Sequence, residues 1–171
     1  KFSGEFEGKD TRPILDATLE VNGDKLKIYN VHFPSGFHDV SMRIDSLDVL
    51  SGLLNSHNYP TIALGDFNVN TKEDRKLNIY KSQEIYWSVA HIYACDDCKG
   101  SFYYNYGKTW EFLDTIFLSK DRGISYVEDT IEIYRTKSNS YNDTGKPINF
   151  NPIKKYGISD HLPMVAKFEI F

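Results

Sequence analysis

The chain has 171 residues, 40% hydrophobic and 26% charged, with a formal net charge of −4. That length suits a single domain able to bury a core without staples, and the balance is that of a folded chain rather than a disordered one. The acidic total excludes a globally basic surface that would hold long duplex nucleic acid by charge alone, yet allows an enzyme that meets a phosphodiester briefly.

Lys1 to Asp10 is a polar lead-in. From Arg12 the pattern alternates, with Leu15, Ala17, Leu19 and Val21 on one side and Asp16, Thr18 and Glu20 on the other, which predicts a strand. Asn22-Gly23-Asp24 predicts a hairpin turn and Lys25 to Phe33 a returning strand, with Leu26, Ile28, Asn30 and His32 on one face and Tyr29, Val31 and Phe33 on the other. A helix follows from about Asp39 to Asn55: Val40, Ile44, Leu47, Leu50 and Leu54 recur at three- and four-residue spacing, with Arg43, Asp45 and Asp48 mainly on another side. After Pro60, Thr61 to Leu64 reads as a buried strand, so strand, helix and strand form a crossover suited to a parallel pair.

That strand runs into Gly65-Asp66-Phe67-Asn68. Residues two apart on an extended chain point the same way, so Asp66 and Asn68 are expected to reach one small polar target, such as a water, a metal or a phosphate. Thr71 to Ser82 is charged and expected as solvated loop, and Gln83 to Ala90 as a weak helix or irregular segment. Ser101 to Tyr106 and Thr109 to Ser119 read as strands around Gly107. In the second of these Asp114 is a carboxylate inside an apolar run; burying it unpaired is expensive, so it should meet a cation or a donor such as a histidine. Ser125 to Tyr134 alternates as a further strand, Thr136 to Pro152 is a long loop, and Ser159-Asp160-His161 leads into a closing strand over Leu162 to Phe171. Lys154 and Lys155, just before the Asp-His pair, either meet a second phosphate or are solvated.

Cys95-Asp96-Asp97-Cys98 offers two of the four ligands of a structural zinc with no second pair to complete them, which favours a local disulfide or two inert thiols. Asn142-Asp143-Thr144 is a glycosylation sequon, a pattern frequent by chance. No apolar run has the length of a membrane span, and none of these residues reads as a signal peptide. The chain opens on Lys1 rather than Met, which leaves room for a removed leader and tilts the expected compartment toward secreted or periplasmic over cytoplasmic.

Taken in order, Asn30-Val31-His32, Gly65-Asp66-Phe67-Asn68, Leu113-Asp114-Thr115-Ile116-Phe117 and Ser159-Asp160-His161 resemble the endonuclease/exonuclease/phosphatase superfamily. The match runs from Arg12 to the end of the chain. The resemblance implies an α/β (α+β) fold, a deoxyribonuclease I-like β-sandwich flanked by helices. Residues 1–171 would be a single domain forming its C-terminal half, one mixed sheet plus helices, with the N-terminal half absent. It implies a metal-dependent hydrolase of phosphate esters, whether phosphodiesterase, phosphatase or nuclease. Asp66 and Asn68 would orient the attacking water and contact the scissile phosphate, and His161 would pair with Asp114 and act on that phosphate. Asp160 would be a ligand of Mg2+, with Mn2+ or Ca2+ as alternatives. His32 would bond a phosphate oxygen with Asn30 beside it, and Arg12 would contact phosphate at its strand start.

The family's opening half supplies an Asn after the first strand and a Glu that is a principal metal ligand, and nothing before Arg12 resembles either. A fragment, a nicked protein or a natural short form would each account for this, and the metal site would be incomplete. The expected partners are a phosphate-ester substrate, with nucleic acid among the candidates, and no membrane. The missing N-terminal half or a second copy would cover the exposed sheet face. A rival is a catalytically inactive binding module on the same scaffold. A serine hydrolase built on Ser159-Asp160-His161 is excluded, because contiguous residues cannot form a relay and no Gly-x-Ser-x-Gly elbow occurs.

Overall fold

The hairpin signal at Asn22-Gly23 is obeyed closely: both residues have positive φ, 54° and 91°, as a tight two-residue turn requires. It joins β1 (Leu15–Val21) to β2 (Asp24–His32) in an antiparallel ladder from Leu15↔Asn30 to Val21↔Asp24. The structure, a computed structural model, describes residues 7, 8, 10–93 and 98–171, Tyr93 in its backbone only. Cys95 lies outside the described residues; Cys98 is disulfide-bonded.

Asp39 caps the first helix, its carboxylate accepting from the Ser41 amide at 2.8 Å, and α1 spans Val40–Leu53. The crossover then delivers β3 (Thr61–Asp66), which runs parallel to β2 with Lys27 opposite Thr61 and His32 opposite Asp66, as the strand-helix-strand pattern predicts. Next come α2 (Thr71–Leu77), α3 (Ile79–Gln83), β4 (Trp87–Val89) and α4 (Ala90–Tyr93). The hairpin β5 (Phe102–Tyr104) and β6 (Thr109–Glu111) precedes β7 (Asp114–Ser119), which pairs antiparallel with β3 and β4. The sheet order is β1-β2-β3-β7-β4. The remaining strands are short: β8 (Ile124–Tyr126), β9 (Glu132–Ile133), β10 (Met164–Val165) and β11 (Phe168–Ile170), with β8 paired to β11 and β9 to β10. Among the described residues no helix is long and apolar enough to cross a membrane.

Several expectations are corrected. The charged stretch over Thr71 to Ser82 is helical, because Asn70 caps α2 by accepting from the Glu73 amide at 2.9 Å and Asn78 ends it in the left-handed conformation, φ 51°. Trp87 to Val89 is an edge strand rather than a weak helix, held by pairing with β7 and by complete burial of Trp87 and Val89. Thr109 to Ser119 breaks between β6 and β7, where the Leu113 carbonyl leaves the ladder to accept from the Phe67 amide at 2.8 Å. Ser125 to Tyr134 and the closing segment each split into two short strands that pair with each other rather than extend the sheet. Arg43, placed by helical spacing on the outer side of α1, is fully buried: Nη1 donates to the carbonyls of Ser35 (2.9 Å), His38 (3.2 Å) and Pro34 (3.3 Å), and Nη2 pairs with Glu73. A guanidinium with four acceptors tolerates burial that a bare charge would not, and it ties the turn after β2 to α2.

The two faces of the sheet differ. On one, Tyr29, Val31, Ala63 and Phe117 pack against Leu47 and Leu50 of α1 and Leu54 just after it, sealing the main core. On the other, Leu26, Ile62, Leu118 and Ile124 form a smaller cluster, with Ile170 and Tyr126 of the β8/β11 ribbon packed against it. Toward β1 that face is open, and Leu15 and Leu19 are 65% and 45% exposed. The registers put Asn30, His32, Asp66 and Asp114 on this second face, at its edge.

Gly65, in the last turn of β3, has φ +131°, and a Cβ there would stand 2.1 Å from the Val31 carbonyl oxygen. Gly65→Ala should cost about 2 kcal/mol or more, read as a lower urea midpoint at unchanged slope. Gly36→Ala, with nothing within 4 Å of the added methyl, should barely move it. Equal midpoints for the two variants would show that β2 and β3 yield to the intrusion.

Candidate active site

The β3–β7 ladder sets Asp66 directly opposite Asp114, so two carboxylates stand side by side where the sheet ends. The histidine arrives from the other end of the chain. Gly157 has φ +77°, and a Cβ there would meet the Asn149 carbonyl at 2.2 Å, so the loop turns closely at this point before Ser159-Asp160-His161. His161 then bridges to Phe102, and the Leu162 amide donates to the Ser101 carbonyl at 2.7 Å. The same Ser101 accepts the Asp114 amide on its Oγ at 3.1 Å. One fully buried serine therefore sets both partners of the pair.

His161 Nδ1 lies 2.6 Å from Asp114 Oδ2, and the Phe102 ring packs on the imidazole at 5.0 Å between centroids. Burial by itself pulls the His161 pKa down. The hydrogen bond the ring donates to Asp114 and the charge of that carboxylate, then the charges of Asp66 and Asp160, outweigh that and hold it above the ordinary histidine value. Asp66 is pushed above the usual carboxylate range by burial first and by the Asp114 charge second, against the pull of His161, the Asn68 amide and His32. The Asn68 amide donates to Asp66 Oδ1 at 2.8 Å, and His32 Nε2 lies 3.5 Å from Asp66 Oδ2. Ligand atoms of Asp66, Asp114 and His161 all fall within 4.8 Å of one another.

Of the residues singled out in the sequence, Asp66, Asp114, His161 and His32 are brought together. Asn30 is exposed two positions before His32 on the same face. Asn68 behaves differently from expectation: β3 ends at Asp66, Asn68 turns left-handed at φ 54°, and its buried Nδ2 donates to the Phe33 carbonyl at 3.0 Å. Arg12 donates to that same carbonyl at 3.1 Å. Both side chains thus brace the turn after His32. Asp160 is exposed, stands outside the three-residue group and lines a neighbouring cleft. Ser101 was not singled out, and a lone serine before a strand carries no signal that could have found it.

Behind the carboxylates, His91 Nδ1 lies 2.9 Å from Thr115 Oγ1 and the ring stacks on Phe112, 4.8 Å between centroids. Burial lowers its pKa from 6.5 to about 4. A histidine with a depressed folded pKa stabilises the fold fully above about pH 6.5. That contribution is lost as pH falls from there toward 4, at about 1.4 kcal/mol per pH unit. His91→Gln should flatten this arm in a series of urea melts; an unchanged slope would exclude His91 as its source.

No family model and no curated protein matches the chain. Solved structures do. Humanized D. rerio TDP2 superimposes with a TM-score of 0.63 at 15% identity, covering 91% of this chain and 60% of that one. An endonuclease/exonuclease/phosphatase from Bacteroides vulgatus gives 0.61 at 18%, covering 88% and 51%. The human Nocturnin catalytic domain, solved with a bound sulfate anion, gives 0.55 at 20%, covering 92% and 53%. The chain spans little more than half the length of these neighbours.

Proposed function

The chain carries about half of the deoxyribonuclease I-like endonuclease/exonuclease/phosphatase fold, and we propose that it is the C-terminal portion of a divalent-metal-dependent phosphate-ester hydrolase. The observation that carries this proposal is the Asp114–His161 pair, 2.6 Å apart and adjoining Asp66. Asp114 holds the imidazole through Nδ1, which leaves Nε2 for a phosphate oxygen. The Asp114 carboxylate favours the cationic form of the ring, the form that would stabilise charge developing on phosphorus. Asp66, with one oxygen fixed by the Asn68 amide, orients the attacking water. His32 and Asn30, on the same face, supply further hydrogen bonds to the phosphate.

The donor set fits a hard divalent cation. Oxygens of the adjacent carboxylates Asp66 and Asp114 lie within 4.8 Å of each other and of a His161 ring nitrogen, and carboxylate oxygens are the donors such a cation takes. Asp66 and Asp114, with Asp160 from the next loop, are the residues that would hold Mg2+, or Mn2+ or Ca2+ in its place. Bound there, the ion would supply positive charge to the phosphate oxygens. Arg12 and Asn68 act through the Phe33 carbonyl, as braces. A second reading, a scaffold without turnover, draws on the open apolar face of β1, which suits a partner as well as it suits the rest of a sandwich.

Hydrolysis of bis(p-nitrophenyl) phosphate, with Mg2+ and after its chelation, separates these alternatives in this chain and in any longer product of its gene. Turnover should depend on the metal and fall by about 10²-fold or more in His161→Ala. Asp114→Asn should lower it with the fold intact by circular dichroism. Absence of turnover in every form would leave the non-catalytic scaffold.

A further inference from the structure

Two turns beside the sheet edge carry apolar side chains into solvent. One joins β5 to β6, where Tyr104 to Lys108 are all exposed. The other covers residues 152–155 and is closed by paired backbone bonds between Asn151 and Tyr156, 2.7 and 3.4 Å long. The Asn151 carboxamide oxygen accepts from the amides of Ile153 and Lys154, at 3.1 and 2.9 Å, which holds this tip in one shape. Tyr106 is 93% exposed on the first tip and Ile153 92% on the second, and Phe150 and Tyr156 are more than half exposed beside it. A single exposed apolar side chain is ordinary, but four of them on two neighbouring turns form a patch.

The two turns belong to one platform. Tyr106 lines a single open cleft of about 690 Å³ together with Lys154 and Tyr156. Behind the tips, Lys146 Nζ sits 3.8 Å from the centroid of the Tyr103 ring and Arg135 Cζ 5.6 Å from that of Trp110, so the long loop is laced to the hairpin. Charge is uneven as well: residues 135–156 hold five basic residues and one acid, a surplus of four positive charges in a chain whose net charge is −4. Lys108, Lys154 and Lys155, at the tips, are exposed. Apolar tips flanked by ammonium groups match the boundary of an anionic bilayer, where rings and aliphatic groups enter the headgroup region and lysines remain at its surface. A nucleic-acid strand would engage the same lysines but has no use for Ile153.

We propose that the paired turns are a peripheral docking surface for an anionic lipid bilayer, with Tyr106 and Ile153 entering the headgroup boundary while Lys108, Lys154 and Lys155 meet its negative charge. Docking of this kind needs no spanning helix. The length of apolar runs in the sequence is silent about it, because the patch is assembled from two turns rather than from one segment. It is independent of the hydrolase reading and assigns no substrate.

Co-flotation of the chain with vesicles of phosphatidylcholine alone, and with about a third of that lipid replaced by phosphatidylglycerol, tests it. Binding to the anionic vesicles should be about tenfold tighter or more and should weaken as salt is raised. Lys154→Gln together with Lys155→Gln should remove most of that preference, and Ile153→Ser should weaken binding severalfold. Ile85→Ser, at a residue 74% exposed just before β4, should leave it unchanged. In Tyr106→Trp the added indole should shift its emission to the blue on anionic vesicles, which a purely electrostatic contact would not produce. All these side chains are exposed, so urea midpoints should match that of the parent chain. Equal affinity for the two vesicles, an affinity untouched by the lysine changes, an unshifted indole, or an Ile85→Ser effect as large as that of Ile153→Ser overturns the surface. Tighter binding of an oligothymidylate than of the anionic vesicles, abolished by the same lysine changes, assigns the lysines to nucleic acid and overturns the bilayer as the occupant.

Discussion

Two carboxylates facing each other across one antiparallel pair set the terms for everything around them. The register that places Asp66 opposite Asp114 is fixed by apolar neighbours, Leu64 with Ile116 and Ile62 with Leu118, and a slip of one residue would turn the three side chains of the slipping strand to the other face. Given that register, two acids share a partly buried edge, and like charges so placed demand a cationic partner. His161 meets the demand from nearly fifty residues further along the chain. The fold therefore spends specific residues on its arrival: Gly157 for the close turn, Ser101 for the two hydrogen bonds, Phe102 for the packing face.

Phe67 explains how a charged edge stays rigid. It lies between Asp66 and Asn68, points into the main core, and stacks on Phe117 at 4.5 Å while meeting Phe33 edge-on at 5.2 Å. The chemistry on one face of the sheet is thereby anchored in the sealed core beneath the other. Trp87, donating to Ser51 Oγ at 2.8 Å, fastens that core to α1. Rigidity behind a site matters because displacements of an ångström at reacting groups cost heavily in rate.

Much of this was legible in the sequence because it rests on local rules. Alternation over β1 and β2, the Asn22-Gly23 turn and the strand-helix-strand spacing determine which residues end up at one edge, and a buried Asp114 requires a partner such as His161. What escaped rests on contacts between distant residues. Helical spacing places Arg43 around an axis but says nothing of the carbonyls of Pro34, Ser35 and His38 folded over it. The two-residue period does not extend past the end of β3, where Asn68 is left-handed. Trp87 to Val89 becomes a strand only because β7 offers it an edge, and the break at Leu113 exists because Phe67 claims its carbonyl.

Ser101 also joins two regions distant in sequence. Through it and the Phe102 bridge, the base of the tyrosine-lined hairpin shares backbone bonds with the residues that seat His161 and Asp114. The seat of the imidazole is thus built in part on the base of the hairpin. Any free energy by which a contact on the hairpin favours the aligned seat is returned equally, as a stronger contact there once the seat is formed.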